Sequence, residues 1–326
     1  MRRHRIASSQ QERAAEFERE RGRLLGVAYR MLGRWAEAED AVQEAWLRFA
    51  DSEDVQDPAA WLTTVVARIC LDVLRSARVR REAYVGPWLP EPLVARIAST
   101  GGAGGAAAEG DPAERVAQTD EVGYALLVVL ERLTPEQRVA FVLHDIFAVP
   151  FDRIATVLAT SADAARQLAT RARRAVASGP PRRRASRGEQ RRAVSAFLAA
   201  ARSGDLDGLL AVLAPDVTIT GDGGGVFPAG PPITGAVPAA RFVAGLFRRI
   251  QTEVEFDLEP VLVNGDVGVV VEVRPMEGRD LSVMEGHDLV RIVMAFDVGE
   301  DGRIVGILDQ LNPDKLTRLP ALSDLR

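Results

Sequence analysis

A chain of 326 residues with 47% apolar and 27% charged side chains has the balance of a globular protein with room for two or three domains, not of a disordered or fibrous one. No apolar run reaches the about 18 residues of a membrane span, and the amino terminus lacks a secretory apolar core, which points to the cytoplasm and away from membranes. The net charge of −5 divides into 28 basic and 25 acidic residues through Arg187 and 13 basic and 21 acidic beyond it, a pattern that suits a nucleic-acid binder with an acidic regulatory part attached.

In chain order, Glu12 to Ala50 reads as helix, with Leu24, Leu25, Ala28, Tyr29 and Leu32 at helical spacing, a stop at Gly33, and then Ala38, Val42, Ala45, Trp46 and Phe49. After the acidic turn "DSEDVQD", Asp57 caps and Pro58 opens a helix, "PAAWLTTVVARICLDVLRSARVRRE". Its expected buried stripe is Leu62, Val65, Val66, Ile69 and Val73, leaving its arginines outside, and Cys70 reads as a buried, inert thiol. With one cysteine and three scattered histidines, no disulfide or metal-ligand spacing arises, and no metal or cofactor is expected.

The next segment is "GPWLPEPLV", followed by the flexible run "STGGAGGAAAEG". Pro90 and Pro92 fix an extended connector, yet it carries Trp88, Leu89, Leu93 and Val94, which gain about 1.5 to 3 kcal/mol each only if they bury against something. Beyond it, Phe151 to Leu158, a turn at Ala159 to Ser161, and a helix from Ala162 capped by Ser161 read as a helix-turn-helix. The second helix turns Arg166, Gln167, Thr170, Arg171 and Arg174 outward, side chains matched to guanine and adenine edges and to phosphates in a major groove. "ASGPPRRRASRG" is a second hinge. From there a helix, a helical turn "LDGLLAVLAPD", and the strand-like "VTIT", "VEFDLEPVLV", "VGVVVEV", "LVRIVMAFDV" and "RIVGILDQL", the last two joined at "GEDG", predict an α+β domain.

These residues resemble a family. "AEAEDAVQEAWLRF" with "AAWLTTVVARICLDVLRSAR" is similar to region 2 of the extracytoplasmic-function class of sigma-70 family RNA polymerase sigma factors, and "LTPEQRVAFVLHDIFAVPFDRIATVLATSADAARQLATRARR" to their region 4. "WLPEP", "DGGG" and "NPDKL" are similar to signatures of the subgroup with a fused SnoaL-like carboxyl-terminal domain, the sigma factor J type. The expected fold is therefore two all-α sigma domains followed by an α+β, nuclear-transport-factor-2-like cone-shaped domain. Its expected segments are region 2 at 10–84, linker at 85–118, region 4 at 119–178, hinge at 179–188, SnoaL-like domain at 189–311 and tail at 312–326.

The resemblance implies transcription initiation. Asp40, Gln43, Glu44 and Trp46 would dock on the clamp helices of the largest subunit of core RNA polymerase. Arg68, Arg75, Arg78, Arg80 and Arg81 would line the opened −10 element, where cations follow the displaced strand. One departure is Ile69, where many relatives carry asparagine, which bears on the −10 base preference. The outward set on the helix-turn-helix would read the −35 element.

SnoaL-like relatives include enzymes that use an aspartate or histidine in their pocket. Asp222, His287, Asp288 and Asp309 are the residues of that type here, but nothing in their spacing pairs an acid with a base, and no enzyme is expected. Asp222 in "GDGGGV" reads as turn chemistry. The expectation is a regulatory domain, with a pocket that senses a small ligand as a compatible variant. Trp88, Leu89, Pro90, Glu91 and Pro92 should pack near Asp222, Gly223, Gly224 and Gly225 or near Asn312, Pro313, Asp314 and Lys315, tying the domain to the sigma core. A different class also fits part of the chain: a conventional helix-turn-helix regulator with a ligand-sensing or cyclase- or epoxide-hydrolase-like carboxyl-terminal domain. It leaves "AEDAVQEAW" and the arginine-bearing helix without a role.

Overall fold

The computed structural model describes residues 2–52, 55–81, 84, 86–97, 123–177, 185–276 and 289–325, with side chains of 2–10 and 77–81 left aside. The chain forms two compact units, one of residues 1–82 and 129–178, the other of 83–128 and 179–326.

The first unit is helical. α1 (Arg2–Leu32) ends where Gly33 takes φ 74°, a left-handed stop that only glycine adopts without strain. α2 (Trp35–Ala50) buries Trp35, Ala38, Ala41, Val42, Ala45 and Phe49. α3 (Pro58–Arg81) starts at the expected cap, Asp57 Oδ1 accepting from the Ala60 N–H at 3.0 Å. Its buried stripe is rotated from the expected one: Leu62, Val66, Cys70 and Leu74 are buried, while Val65, Ile69 and Val73 are half-buried. α3 packs on α1 and α2 along one flank and on the helix-turn-helix along another, so its apolar surface exceeds a single stripe. The Cys70 thiol is fully enclosed and burial pushes its pKa upward.

α4 (Tyr124–Leu130) leads to α5 (Pro135–Phe141), opened by a reciprocal capping box between Thr134 and Gln137. A π turn (Val142–Ile146) precedes α6 (Phe151–Leu158), which ends at Ala159 with φ 51°. α7 (Ala162–Val176) follows with Ser161 as its cap, the helix-turn-helix that the sequence predicts.

In the second unit, β1 (Val94–Arg96) comes from the connector itself. α8 (Arg187–Ser203) and α9 (Leu206–Val212) precede β2 (Leu213–Asp222) and β3 (Ile233–Thr234). α10 (Ala236–Ile250) precedes β4 (Val254–Val263), β5 (Asp266–Pro275), β6 (Val290–Val298) and β7 (Ile304–Gln310). The sheet order is β1-β4-β5-β6-β7-β2-β3, with β2 parallel to β7 and every other neighbour antiparallel. Among the elements that escape the sequence reading are α10, whose inward Ala239, Ala240, Val243 and Ala244 are mostly small, and β1, too short and proline-flanked to read as strand. A 3-10 turn (Pro313–Lys315) and α11 (Leu322–Leu325) close the chain.

The sheet's two sides differ in charge. Glu272, Arg274 and Arg291 share one side, linked at 2.6 Å and 2.9 Å through the Glu272 carboxylate. Arg291 also donates to Leu319 O at 3.1 Å, so the carboxyl-terminal tail lies on that side. The other side faces α8 and α10: the rings of Phe296 and Phe197 meet at 5.4 Å, and those of Phe256 and Phe247 at 5.9 Å.

Candidate functional site

In the helix-turn-helix, Arg166, Gln167, Arg171 and Arg174 are exposed and Thr170 half-buried, while Ala165, Ala169 and Ala172 are buried. Alternation of buried alanines with exposed cations presents one flat polar face. The Arg166 guanidinium pairs with Asp163 at 2.5 Å and sits 5.2 Å from the Phe151 ring centroid, which places it at the amino-terminal end of the recognition helix.

On α2, Asp40 and Gln43 are exposed and Glu44 half-buried, one helical face with Leu47, itself 52% exposed. The sequence reading does not single out Leu47. Its signal is an apolar residue lying off the buried stripe. Trp46 is half-buried and packs on Phe17 at 4.9 Å and Phe49 at 6.5 Å, so it supports this face more than it belongs to it.

Arg68 and Arg75 are exposed, but both are engaged: Arg68 donates to Thr156 O of α6 at 2.8 Å and Arg75 pairs with Glu136 of α5 at 3.0 Å. Arg153 meets Asp57 at 2.9 Å, and the Ala60 N–H together with this guanidinium holds the Asp57 carboxyl below its ordinary pKa. Arg78, Arg80 and Arg81 lie outside the described side chains, and His287 and Asp288 outside the described residues.

The densest polar cluster is in the second unit. Asp222 and Lys315 are 0% and 2% exposed, with Nζ 2.7 Å from Oδ2. Nζ also donates to Leu89 O at 2.7 Å and lies 4.0 Å from the Trp88 ring centroid and 4.9 Å from that of Tyr84, a cation–π cage. Asp222 accepts further from the Leu89 N–H at 2.8 Å, the Tyr84 hydroxyl at 2.6 Å and the Gly224 N–H at 3.0 Å. Gln310 donates to Pro90 O at 3.0 Å, the Tyr124 hydroxyl to the same oxygen at 2.6 Å, and Asn312 to the Tyr84 hydroxyl at 2.8 Å. Asn264 accepts from the Leu93 N–H at 3.1 Å and returns its own N–H to Leu93 O at 2.9 Å, which registers β1 on the sheet edge.

Asp222 therefore exceeds the turn role expected of it: the Gly224 contact is the turn, and the rest is a buried ion pair closed by the connector. The structure brings Trp88, Leu89 and Pro90 onto Asp222 and Lys315, with Glu91 and Pro92 buried beside them. Pro313 and Asp314 are exposed, forming the turn that aims Lys315 inward, with Asn312 Oδ1 accepting from the Asp314 N–H. Tyr84, Tyr124, Asn264 and Gln310 are missed by the sequence reading, since single polar residues carry no periodic signal.

The glycines of "DGGG" have separate reasons. Gly224 and Gly225 take φ 65° and 76°, but a Cβ on Gly223 would sit 1.8 Å from the Phe227 carbonyl oxygen, and that atom is backbone with no room to retreat. Gly223→Ala is expected to rebuild the turn, displace Asp222 and expose the connector to protease in the full-length chain. Wild-type protection of the connector would count against this account.

Asp309 stands apart from the cluster. Burial alone pushes its carboxyl from the ordinary 3.8 up to about 7. The folded chain thus binds a proton that the unfolded chain has released, and stability falls as pH rises from the unfolded value to the folded one. Asp309→Asn is expected to flatten the decline of Tm between about pH 4 and 7. Parallel Tm profiles for the two proteins would contradict the assignment.

No helix among the described residues is long and apolar enough to cross a membrane, and no group of histidine, cysteine and acidic residues among them could hold a metal ion.

A recognition helix with a cationic face, a second arginine-bearing helix and an α+β domain that binds the connector between them define a multidomain DNA-binding transcription protein. Residues 17–80 match Sigma-70 region 2, 124–176 match Sigma-70 region 4, and 194–307 match the SnoaL-like domain. The chain is 43% identical over 310 residues to the ECF RNA polymerase sigma factor SigJ of Mycobacterium tuberculosis, covering 94% of each. It is 41% identical over 206 residues to the probable ECF RNA polymerase sigma factor SigI of the same species, covering 63% of this chain and 68% of that one. The crystal structure of the SigJ protein superposes with a TM-score of 0.73 at 41% identity, over 93% of this chain and 98% of that one. The chain belongs to the extracytoplasmic-function RNA polymerase sigma factors, with a fused SnoaL-like domain. It is a transcription initiation factor that joins core RNA polymerase and directs it to promoters through regions 2 and 4.

Proposed function

We propose that the SnoaL-like domain controls this sigma factor by seizing its connector, and that the Asp222–Lys315 pair is the latch. The carrying observation is that the ammonium of Lys315 bonds a connector carbonyl and a domain carboxylate at once, 2.7 Å from each. Because the domain is fused, closure is intramolecular, at an effective concentration in the millimolar range.

The sign follows from reach. Simultaneous reading of the −10 and −35 elements, about 25 base pairs apart, needs regions 2 and 4 separated by roughly 85 Å at 3.4 Å per base pair. In the first unit α6 is packed on α3, with Arg68 and Arg75 held by region 4, an arrangement that must open on a promoter. Opening draws on the connector between Arg81 and Tyr124. With the latch closed, Tyr84, Leu89, Leu93 and β1 are pinned on the domain and lost to that span. Latching therefore shortens the leash on region 4 and favours the packed, inactive arrangement.

In the same reading, Asp40, Gln43, Glu44 and Leu47 meet the clamp helices of the largest polymerase subunit, Trp46 supports them, and Arg68, Arg75, Arg78, Arg80 and Arg81 line the opened −10 strand. Arg166, Gln167, Thr170, Arg171 and Arg174 read the −35 duplex. The SnoaL-like domain holds a small molecule that biases the latch.

The test is transcription with core polymerase on a cognate promoter, comparing the full chain with truncations ending before Asn312 and before Gly188. Loss of residues 312–326 is expected to raise transcription several-fold, because it removes Lys315. If neither truncation changes transcription, control by the fused domain is wrong.

A further inference from the structure

The recognition helix α7 meets the segment before it at two points. Near its start, the Arg166 guanidinium lies over the Phe151 ring, 5.2 Å from the centroid. Further along, Arg173 pairs with Asp145 at 2.5 Å, which holds the π turn against α7.

Phe151 opens α6, whose Ile154, Ala155, Val157 and Leu158 are buried, and is itself half-buried. Its ring is not free to turn, because the His144 imidazole stacks on it, with centroids 3.9 Å apart and planes 29° from parallel. His144 is fixed in its turn. Its Nδ1 lies 3.1 Å from Val149 O, and since a carbonyl only accepts, that nitrogen carries the proton. The Val149 N–H donates to Leu143 O at 2.8 Å and the Ala148 N–H to His144 O at 3.1 Å, so hydrogen bonds fix the loop from the π turn to α6. π turns are rare and concentrate at functional sites; this one delivers an imidazole to the ring that meets Arg166.

Arg166 has two partners here, and DNA acts on them differently. Asp163 takes up guanidinium N–H donors, the groups that a guanine edge requires. Its side chain is 85% exposed, where an ion pair is weak, and its negative charge is repelled by phosphates. The Phe151 ring is uncharged and attracts the guanidinium through its π face, which leaves the N–H donors free. A long side chain confined in this way loses less freedom when it docks. Asp163 therefore yields to DNA, and the ring stays.

We propose that Phe151, backed by His144, is a positioning residue for promoter recognition: its ring holds the Arg166 guanidinium in the pose that reads the −35 element, and so sets specificity at a base that it does not touch. This rests on the −35 reading assigned to Arg166 above.

The test is competition between a cognate promoter and derivatives changed at single −35 positions, for the full-length chain with core polymerase. Phe151→Leu should lower discrimination about two- to fivefold, the range of an exposed cation–π contact, at the same positions where Arg166→Ala lowers it. Affinity for unrelated duplex DNA should not change, because no charge is lost. Phe151→Met serves if Phe151→Leu does not fold. Phe151→Tyr, which keeps the ring, should stay near wild type, and His144→Ala should reproduce part of the loss. In an Arg166→Ala background Phe151→Leu should add nothing, whereas a merely structural role would cost the same on either background.

Unchanged discrimination in Phe151→Leu, a loss spread evenly over promoter positions, an equal loss with and without Arg166, or equal losses for Phe151→Tyr and Phe151→Leu would each overturn the proposal while leaving the reading by Arg166 in place. Unchanged discrimination in His144→Ala would remove the imidazole from it. No sequence-dependent loss for Arg166→Ala would overturn both.

Discussion

Lys315→Met should free the connector from the SnoaL-like domain and raise transcription several-fold. Among the described residues the Lys315 ammonium is the cation that pairs with the fully buried Asp222, and Met matches its length without its charge. Removing one member of a buried ion pair costs about 3–5 kcal/mol, because the remaining charge is left uncompensated. Asp222 would keep its contacts with Leu89, Tyr84 and Gly224, but these neutral donors do not balance its charge. The cheapest relief is to open the site to water, and the movable wall of that site is the connector. Limited proteolysis across 84–96 should therefore accelerate. Asp222→Asn in the same chain as Lys315→Met should restore much of the protection, since no charge then remains buried, and the two changes should be strongly non-additive. Lys315→Met with wild-type connector protection and wild-type transcription would remove the latch.

The sequence made the helical half legible because its physics is local. Asp57, Thr134 and Ser161 cap where a side-chain oxygen precedes an apolar helical run, and α7 alternates alanines with cations. The four long antiparallel strands were legible for the same reason. The latch was only partly so. The apolar connector announced that it must bury, and "DGGG" and "NPDKL" marked where. What no local pattern encodes is that Gln310 and Asn264 satisfy connector carbonyls and amides from residues more than 170 positions away, or that a lone lysine is caged by Tyr84 and Trp88. Such contacts are set by sheet register, and register is a property of the whole domain. The rotation of the α3 stripe has the same origin: a second partner packs on α3 along the flank of Arg68 and Arg75, which draws burial toward Cys70 and Leu74 and leaves Val65, Ile69 and Val73 half-buried, and helical periodicity alone does not reveal that partner.

Arg166→Ala should relax promoter choice at one or two −35 positions, lowering discrimination there by about 1–3 kcal/mol, as loss of a bidentate arginine–guanine contact does. Arg166 is singled out because it stands in the first turns of α7, where a recognition helix meets base edges, and because its free-state partner, the exposed Asp163, is easily exchanged for DNA. Arg174, two turns further along the same face and exposed, is placed for phosphate instead. Arg174→Ala should weaken binding evenly across promoter sequences and reduce the salt dependence of binding by about one phosphate contact. The two substitutions remove the same charge, so general electrostatics predicts the same outcome for both. Competition between cognate and −35-mutated promoters, repeated at several salt concentrations, separates them. A sequence-dependent loss for Arg166→Ala beside a sequence-independent, salt-sensitive loss for Arg174→Ala supports the assigned docking of α7. Identical losses would mean that this helix contributes charge without reading sequence.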